Sequence, residues 1–353
     1  MNTKEIRSPG QIVEVVRGRG NIIEVLEASL DELKADARSY VRNARTQSTL
    51  RGYDAAWSRF VAWCSIYDRS PLPADPAVVA AFLADIAPTK REEHEPEVPT
   101  STGDERVQVG TLGRYLSAIK LRHDAAGHPS PTLDVGVKSV IRGIRRTHGV
   151  APDRRAAPLL VGDLLSVIET LSPNKLGDVR DKALLLIGFA AALRRSEIVG
   201  LDVGDLSFRS DGLVIRLRRR KTDQAAKGTF VGVAYGTNGS CPVVALRKWV
   251  AAAEVTTGPV FRAVDRHGNV HDRRLNGQTV CRAVKKLVPR ASLDADAYSG
   301  HSLRAGFATS AAAAGVEERE IAKVTGHASV QVLRQYIRDG RILHGDLSRR
   351  LGL

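Results

Sequence analysis

His327 and Tyr336 stand nine residues apart in GHASVQVLRQYIRDG, residues 326–340, with Arg334 and Arg338 on either side of the phenol. Upstream, SGHSLRAGFATS holds His301 and Arg304, three apart and so on neighbouring positions of a helix. AALRRSEIVGL sets Arg194 and Arg195 at the end of an apolar run, with Glu197 close enough to fix a guanidinium by a fork-like bond. RRRKTDQAAKG adds Lys221 and Lys227. These are the ingredients of phosphoryl transfer, which needs cations on the non-bridging oxygens, an activated nucleophile and a proton for the leaving oxygen. A free phenol titrates near pH 10 and is a weak nucleophile until a base takes its proton. The phosphate-cradling loop G-x-x-x-x-G-K-[ST] does not occur, nor does any Gly-Lys dipeptide or an H-E-x-x-H zinc helix. Each stretch alone also has a plainer reading: helix-end arginines, a helix-start histidine, a solvated charge run, a packing tyrosine. Their order and spacing together favour chemistry.

Helices and one hairpin must carry these residues. Leu50, Tyr53, Trp57, Phe60, Val61 and Cys64 recur at helical spacing after a candidate cap at Ser48. Further helices are expected at Ala77 to Ile86, over Val109 to Ile119 and over Val137 to Arg146, so the front half reads as a small all-helical domain. RRTHGVAPDRRAAP, residues 145–158, is basic, contains Pro and Gly and lacks apolar periodicity, which marks a linker. The back half is mostly helical. LLVGDLLSVIETL and the buried DKALLLIGFAAAL come first, and later helices are expected over Ala245–Ala253, Asn276–Val288, Leu303–Ala314, Glu318–Thr325 and Val330–Ile337. GLVIRLRRRKTDQAAKGTFVGVAYG alternates on both sides of a polar tip and predicts one antiparallel hairpin, with Lys221 and Lys227 at its tip.

The bulk composition narrows the partner. In 353 residues, 53 Lys and Arg face 39 Asp and Glu, a net charge of +14, which favours a polyanion whose counterions are released on binding. The three cysteines, Cys64, Cys241 and Cys281, occur singly, which speaks against a disulfide framework or a zinc site. The N-terminus lacks an apolar signal core, and the longest apolar run, Ala183 to Leu193, is too short to cross a bilayer. A soluble cytoplasmic protein is expected, with no membrane partner, no metal and no cofactor.

With those segments in view, the chain strongly resembles the tyrosine recombinase (phage integrase) family, and within it the Cre-like members. SRFVAWC (58–64) and SPTLDVGVKSVIRGIRR (130–146) are similar to parts of the family's N-terminal core-binding domain. SGHSLRAGFATSAAAAGV and VLRQYIRDG are similar to its catalytic signatures. The resemblance implies a mainly α fold: a helical, SAM-like core-binding domain over 31–147 after a tail at 1–30, a linker at 148–158, and a catalytic domain over 159–353 with a small antiparallel sheet. It implies that Arg194 and Arg304 clamp a scissile phosphate, that Glu197 supports Arg194, and that His301 takes the proton of the nucleophile Tyr336. Lys221 then protonates the departing 5′ oxygen and His327 binds the phosphate. The product is a 3′-phosphotyrosyl DNA link, formed without ATP or metal and leading through a Holliday junction to strand exchange. Two departures stand out: Ala192 replaces a frequent Gly, and Arg195 a usually apolar residue.

The resemblance further implies two domains that clamp duplex DNA at inverted-repeat half-sites, a monomer in free solution and a tetramer on synapsed DNA, in a bacterial or phage-encoded, nucleoid-associated protein. Within 276–288, Val280, Ala283, Val284 and Leu287 form one stripe, while Gln278, Arg282 and Lys285 fall on the other face, placed for a major groove or simply for water. Arg51, Arg59, Arg114 and Lys120 are the equivalent choices in the front domain. RILHGDLSRRLGL, with Ile342, Leu343, Leu347 and Leu351, reads as an amphipathic helix that packs on a neighbouring subunit or on its own chain. Two other readings compete: a relaxing topoisomerase with the same tyrosine chemistry, and a DNA-binding module that has lost it.

Overall fold

A computed structural model describes residues 32–36, 45–88, 103, 105–150, 156–218, 220, 228–326 and 330–341, the last segment without the side chains of 330, 332 and 338–341. The expected tail at 1–30, Lys221, Lys227, His327 and the expected C-terminal helix after 341 lie outside the described residues. The chain divides into two compact units, Met1–Asp153 and Arg154–Leu353.

The first unit is helical: α1 (Gln47–Ile66), α2 (Pro76–Ile86), α3 (Val109–Ala125) and α4 (Val135–His148). The cap of α1 is Thr46, whose hydroxyl accepts from the Thr49 amide, and not Ser48 as the periodicity suggested. Asp75 caps α2 and Asp134 caps α4 in the same way, and α4 runs on to His148, so the first residues of the expected linker are helical. Aromatic rings fill the core around Phe82, whose centroid lies 5.0 Å from Phe60, 5.6 Å from Trp63 and 5.7 Å from Tyr115. His123 is fully buried because both ring nitrogens are used. Nδ1 bonds the Ile119 carbonyl and Nε2 accepts the Ala74 amide, which assigns a neutral imidazole.

The second unit surrounds α6 (Leu176–Ala190), buried along its length and wholly apolar from Ala183 on, with α5 (Val161–Glu169), α8 (Pro242–Ala252), α9 (Gly277–Leu287) and α10 (Ser302–Ala313). Short α7 (Arg195–Gly200) follows α6, and α11 (Glu318–Thr325) and α12 (Val330–Arg341) close the chain. The predicted hairpin is present as β2 (Gly212–Leu217) and β3 (Thr229–Ala234), paired antiparallel with Ile215 opposite Val231. Its inward residues Leu213, Ile215, Leu217, Val231 and Val233 are buried, as alternation demands. β1 (Leu206–Phe208) adds a third strand, and β4 (Arg262–Val264) with β5 (Val270–Arg274) forms a second sheet. The sequence predicted one sheet of two strands. The added strands are short, and β5 is mostly exposed, so they carry no alternating pattern to read.

Close packing of α10 fixes the floor of the site. Residues 157–161 lie along its start, with the Leu159 amide donating to the Ser302 carbonyl at 3.0 Å. Gly306 is needed here, because a Cβ at that position would sit 1.8 Å from the Leu159 carbonyl oxygen.

Candidate active site

The turn after α6 builds the first part. The Ala192 amide donates to the Phe189 carbonyl at 2.8 Å and the Leu193 amide to the Gly188 carbonyl at 2.9 Å. That pair of bonds is a Schellman closure, which places residue 192 in the left-handed region, where its φ is +49°. Ala192 is buried there and turns its carbonyl toward Arg304 Nη1, 2.8 Å away. The Ala-for-Gly departure is therefore a backbone strain at the site, not a neutral exchange.

Arg194 is the N-cap of α7, so it does not end a continuous apolar helix as the sequence suggested. Glu197 grips it twice: Oε1 accepts from Nη1 at 2.7 Å, and Oε2 accepts from the Arg194 amide at 2.8 Å. Arg194 Nη2 also reaches the Gly326 carbonyl at 3.4 Å, at the end of α11. The guanidinium is thereby oriented before any ligand arrives. Arg195 points away, with its stem across Gly277 and Gly300, where a Cβ on Gly300 would meet Arg195 Cδ at 2.4 Å.

Arg304, on α10, is 1% exposed, and its Nε and Nη2 protons have no partner. Burial pushes its pKa down to about 10; the charge of Arg194 adds to that, Glu197 opposes it, Arg220 lowers it further and Tyr336 opposes. Tyr336, 7% exposed, packs from α12 against Ala305, Ala308, Ile321 and Leu333. Its Oη lies 3.0 Å from Nε2 of the exposed His301, the N-cap of α10. The hydroxyl is thus within reach of a base, and Arg304 is near enough for its charge to be felt. Arg334 beside it is engaged with Glu318 at 3.2 Å.

Five of the seven expected catalytic residues are therefore described, and they converge: Arg194, Glu197, His301, Arg304 and Tyr336. A further buried cation beside them was missed. Arg220, in the middle of RRRK, is 5% exposed and donates from Nη2 to the Val324 carbonyl at 2.9 Å. Burial lowers its pKa, Glu197 opposes that, and Arg194 adds to it. Three like residues in a row give no sign of which one turns inward.

The expected DNA contacts divide by availability. On α9, Val280, Ala283, Val284 and Leu287 are buried, while Gln278 and Arg282 are exposed. Lys285 is exposed too and pairs with Asp296 at 2.9 Å. In the first unit Arg51 and Arg114 are exposed, and Lys120 pairs with Asp124 at 2.9 Å. Arg59 is half-buried and donates to Tyr115 Oη at 3.3 Å and to the Glu105 carbonyl at 2.8 Å, so it serves the fold of that unit.

A phenol bonded to an imidazole beside buried, oriented guanidiniums is an arrangement suited to acting on a phosphate ester. Comparison with known proteins makes this specific. The phage integrase family model matches residues 161–341. An integrase/recombinase XerD homolog of Selenomonas ruminantium is 32% identical over 325 residues, 91% of this chain and 90% of that protein. Recombinase cre of Escherichia phage P1 is 25% identical over 338 residues, 89% of this chain and 91% of its own. A crystal structure of XerH site-specific recombinase bound to palindromic difH substrate, a post-cleavage complex, shares the fold with a TM-score of 0.55 at 17% identity, over 78% of this chain and 71% of that one. The chain belongs to the phage integrase family of tyrosine recombinases and is a site-specific recombinase. Its similarity to Cre spans the length but is distant, and the XerD homolog is nearer. Among the described residues no helix is long and apolar enough to cross a membrane.

Proposed function

We propose that the chain cuts and rejoins double-stranded DNA at inverted-repeat half-sites through a covalent 3′-phosphotyrosine. Tyr336 Oη attacks the phosphorus while its proton passes to His301 Nε2. The bond from phosphorus to the 5′ oxygen breaks, and that oxygen takes a proton from Lys221. Arg194 and Arg304 offset the charge that builds on the non-bridging oxygens, and His327 donates a further hydrogen bond. Loss of one such donor typically costs about 3 kcal/mol of barrier. The new phosphotyrosyl bond conserves the phosphodiester energy, so a second strand's 5′ hydroxyl can reverse the step, through a Holliday junction, with neither ATP nor metal. The chain acts as a tetramer on synapsed DNA and as a monomer when free.

Gln278 and Arg282 are the favoured groove contacts, with Arg51 and Arg114 their counterparts in the first unit. Lys285, Lys120 and Arg59 contribute positive potential to the same interfaces, and an exposed pair such as Lys285–Asp296 opens at a cost of only about 0.2–1 kcal/mol.

One observation carries this reading. The Tyr336 hydroxyl is 3.0 Å from His301 Nε2, beside an Arg304 whose two unpartnered N–H groups are buried and call for an anion. The test uses duplexes selected by this chain from a random-sequence pool, nicked near the cleavage position so that religation fails. Wild type in EDTA is expected to give a protein–DNA adduct that survives SDS, and Tyr336→Phe none. An equal adduct from Tyr336→Phe, or no adduct from wild type on any selected duplex, would sink the proposal. A two-site plasmid separated into two circles distinguishes recombination from simple relaxation.

A further inference from the structure

Arg220 lies outside the five groups that converge on the phosphate and outside the family roles, yet it is among the most buried charges of the second unit. Its Nη2 is tied to the Val324 carbonyl, and its Nη1 lies against Gly326, where a Cβ would be 2.1 Å from it. Gly326 has a φ of +59°, and its carbonyl receives Arg194 Nη2, so both arginines grip the same end of α11. The attachment is specific: a planar guanidinium needs a bare glycine to lie against and a helix-end carbonyl to bond. Arg220 follows β2 by three residues and immediately precedes Lys221 in sequence. Its Nη2 and Nη1 are occupied by the end of α11, and only its Nε is left buried without a partner.

We propose that Arg220 is a positioning residue. It fastens the start of the β2–β3 turn to the end of α11 beside Arg194, and it serves the departure of the 5′ oxygen through its neighbour Lys221. The inference rests on the reading that Lys221 protonates that oxygen. A displacement of about 1 Å in a reacting group typically lowers a rate by about 100-fold.

The test compares two nicked duplexes of the same selected sequence, one with the ordinary 5′ bridging oxygen and one with sulfur there, since a thiolate leaves without being protonated. Arg220→Met is expected to cleave the oxygen substrate about 10- to 100-fold more slowly than wild type. On the sulfur substrate it should return to within a few fold of wild type, as Lys221→Ala should. Arg304→Ala, which loses a phosphate clamp, should remain slow on both. Arg220→Lys, which keeps a donor for Val324, should fall between wild type and Arg220→Met and replaces it if the methionine variant does not fold. Wild-type rates on oxygen, or a defect that persists on sulfur while Lys221→Ala is rescued, overturns the proposal alone. A Lys221→Ala defect that sulfur does not rescue overturns the general-acid reading beneath it.

Discussion

Replacing Arg304 by methionine should stabilise the DNA-free chain while abolishing cleavage. The buried guanidinium keeps its proton with a pKa pushed down to about 10, between two and three pH units below its ordinary value. At 1.36 kcal/mol per pH unit, that difference means the folded chain at neutral pH carries a penalty of about 3 kcal/mol for holding this charge. Methionine has a stem of similar length and no charge, so it removes the penalty. It also leaves the Ala192 carbonyl without its donor, a loss of about 1–2 kcal/mol. The net expectation is a gain of about 1–2 kcal/mol, because the opposing terms are of unequal size. The sign with pH follows from the same shift. A cation whose folded value is depressed binds its proton less tightly in the folded state, so the penalty is fully present below about pH 10 and fades as the pH rises beyond it. Urea titration of wild type and variant, followed by the fluorescence of Trp249, the tryptophan of the second unit, gives the difference. It should be constant from pH 7 to 9 and shrink above 10. With a selected duplex present the order should reverse, since the anion relieves the wild-type charge and offers the methionine nothing. A variant less stable than wild type by more than 1 kcal/mol without DNA would show that Arg304 is compensated within the protein and that its open N–H groups are not waiting for an anion.

Two further expectations concern the backbone around that arginine. Ala192→Gly removes the left-handed strain at φ +49° and should raise stability by about 0.5–1 kcal/mol, seen in calorimetry as a rise of about 2 °C in the melting of the second unit. A lower melting temperature would mean that the alanine methyl, buried in the turn, contributes more than the strain removes. Gly306→Ala must push α10 away from the Leu159 carbonyl and should cost at least about 3 kcal/mol, or prevent folding of the second unit altogether. A soluble variant melting within 2 °C of wild type would refute the close approach.

Much of the site was legible because its key pairs are local. Arg194 and Glu197 are three residues apart, a spacing at which one carboxylate accepts from both the Arg194 amide and its guanidinium. The helices of both units followed from apolar periodicity, since each buries one continuous stripe or, for α6, nearly its whole surface. Illegible elements share a cause: nothing in the local pattern selects them. Thr46, Ser48 and Thr49 all carry hydroxyls near the start of α1, and only the backbone conformation of Thr46 makes it the cap. β4 and β5 lack alternation, and Arg220 cannot be told from its neighbours.

The links between the legible pairs run through backbone carbonyls, and those have no signature in residue types. Ala192 gives its carbonyl to Arg304, Gly326 to Arg194 and Val324 to Arg220. Arg194 and Arg304 are named by the sequence and Arg220 is not, and each acceptor belongs to whichever turn happens to expose a C=O at that point. Two of the three acceptors, Ala192 and Gly326, sit in left-handed turns that end helices, the one place where a helix releases carbonyls sideways. The site is therefore held by helix ends aimed at buried arginines. A side-chain motif can name the arginines, whereas their geometry depends on where α6 and α11 stop.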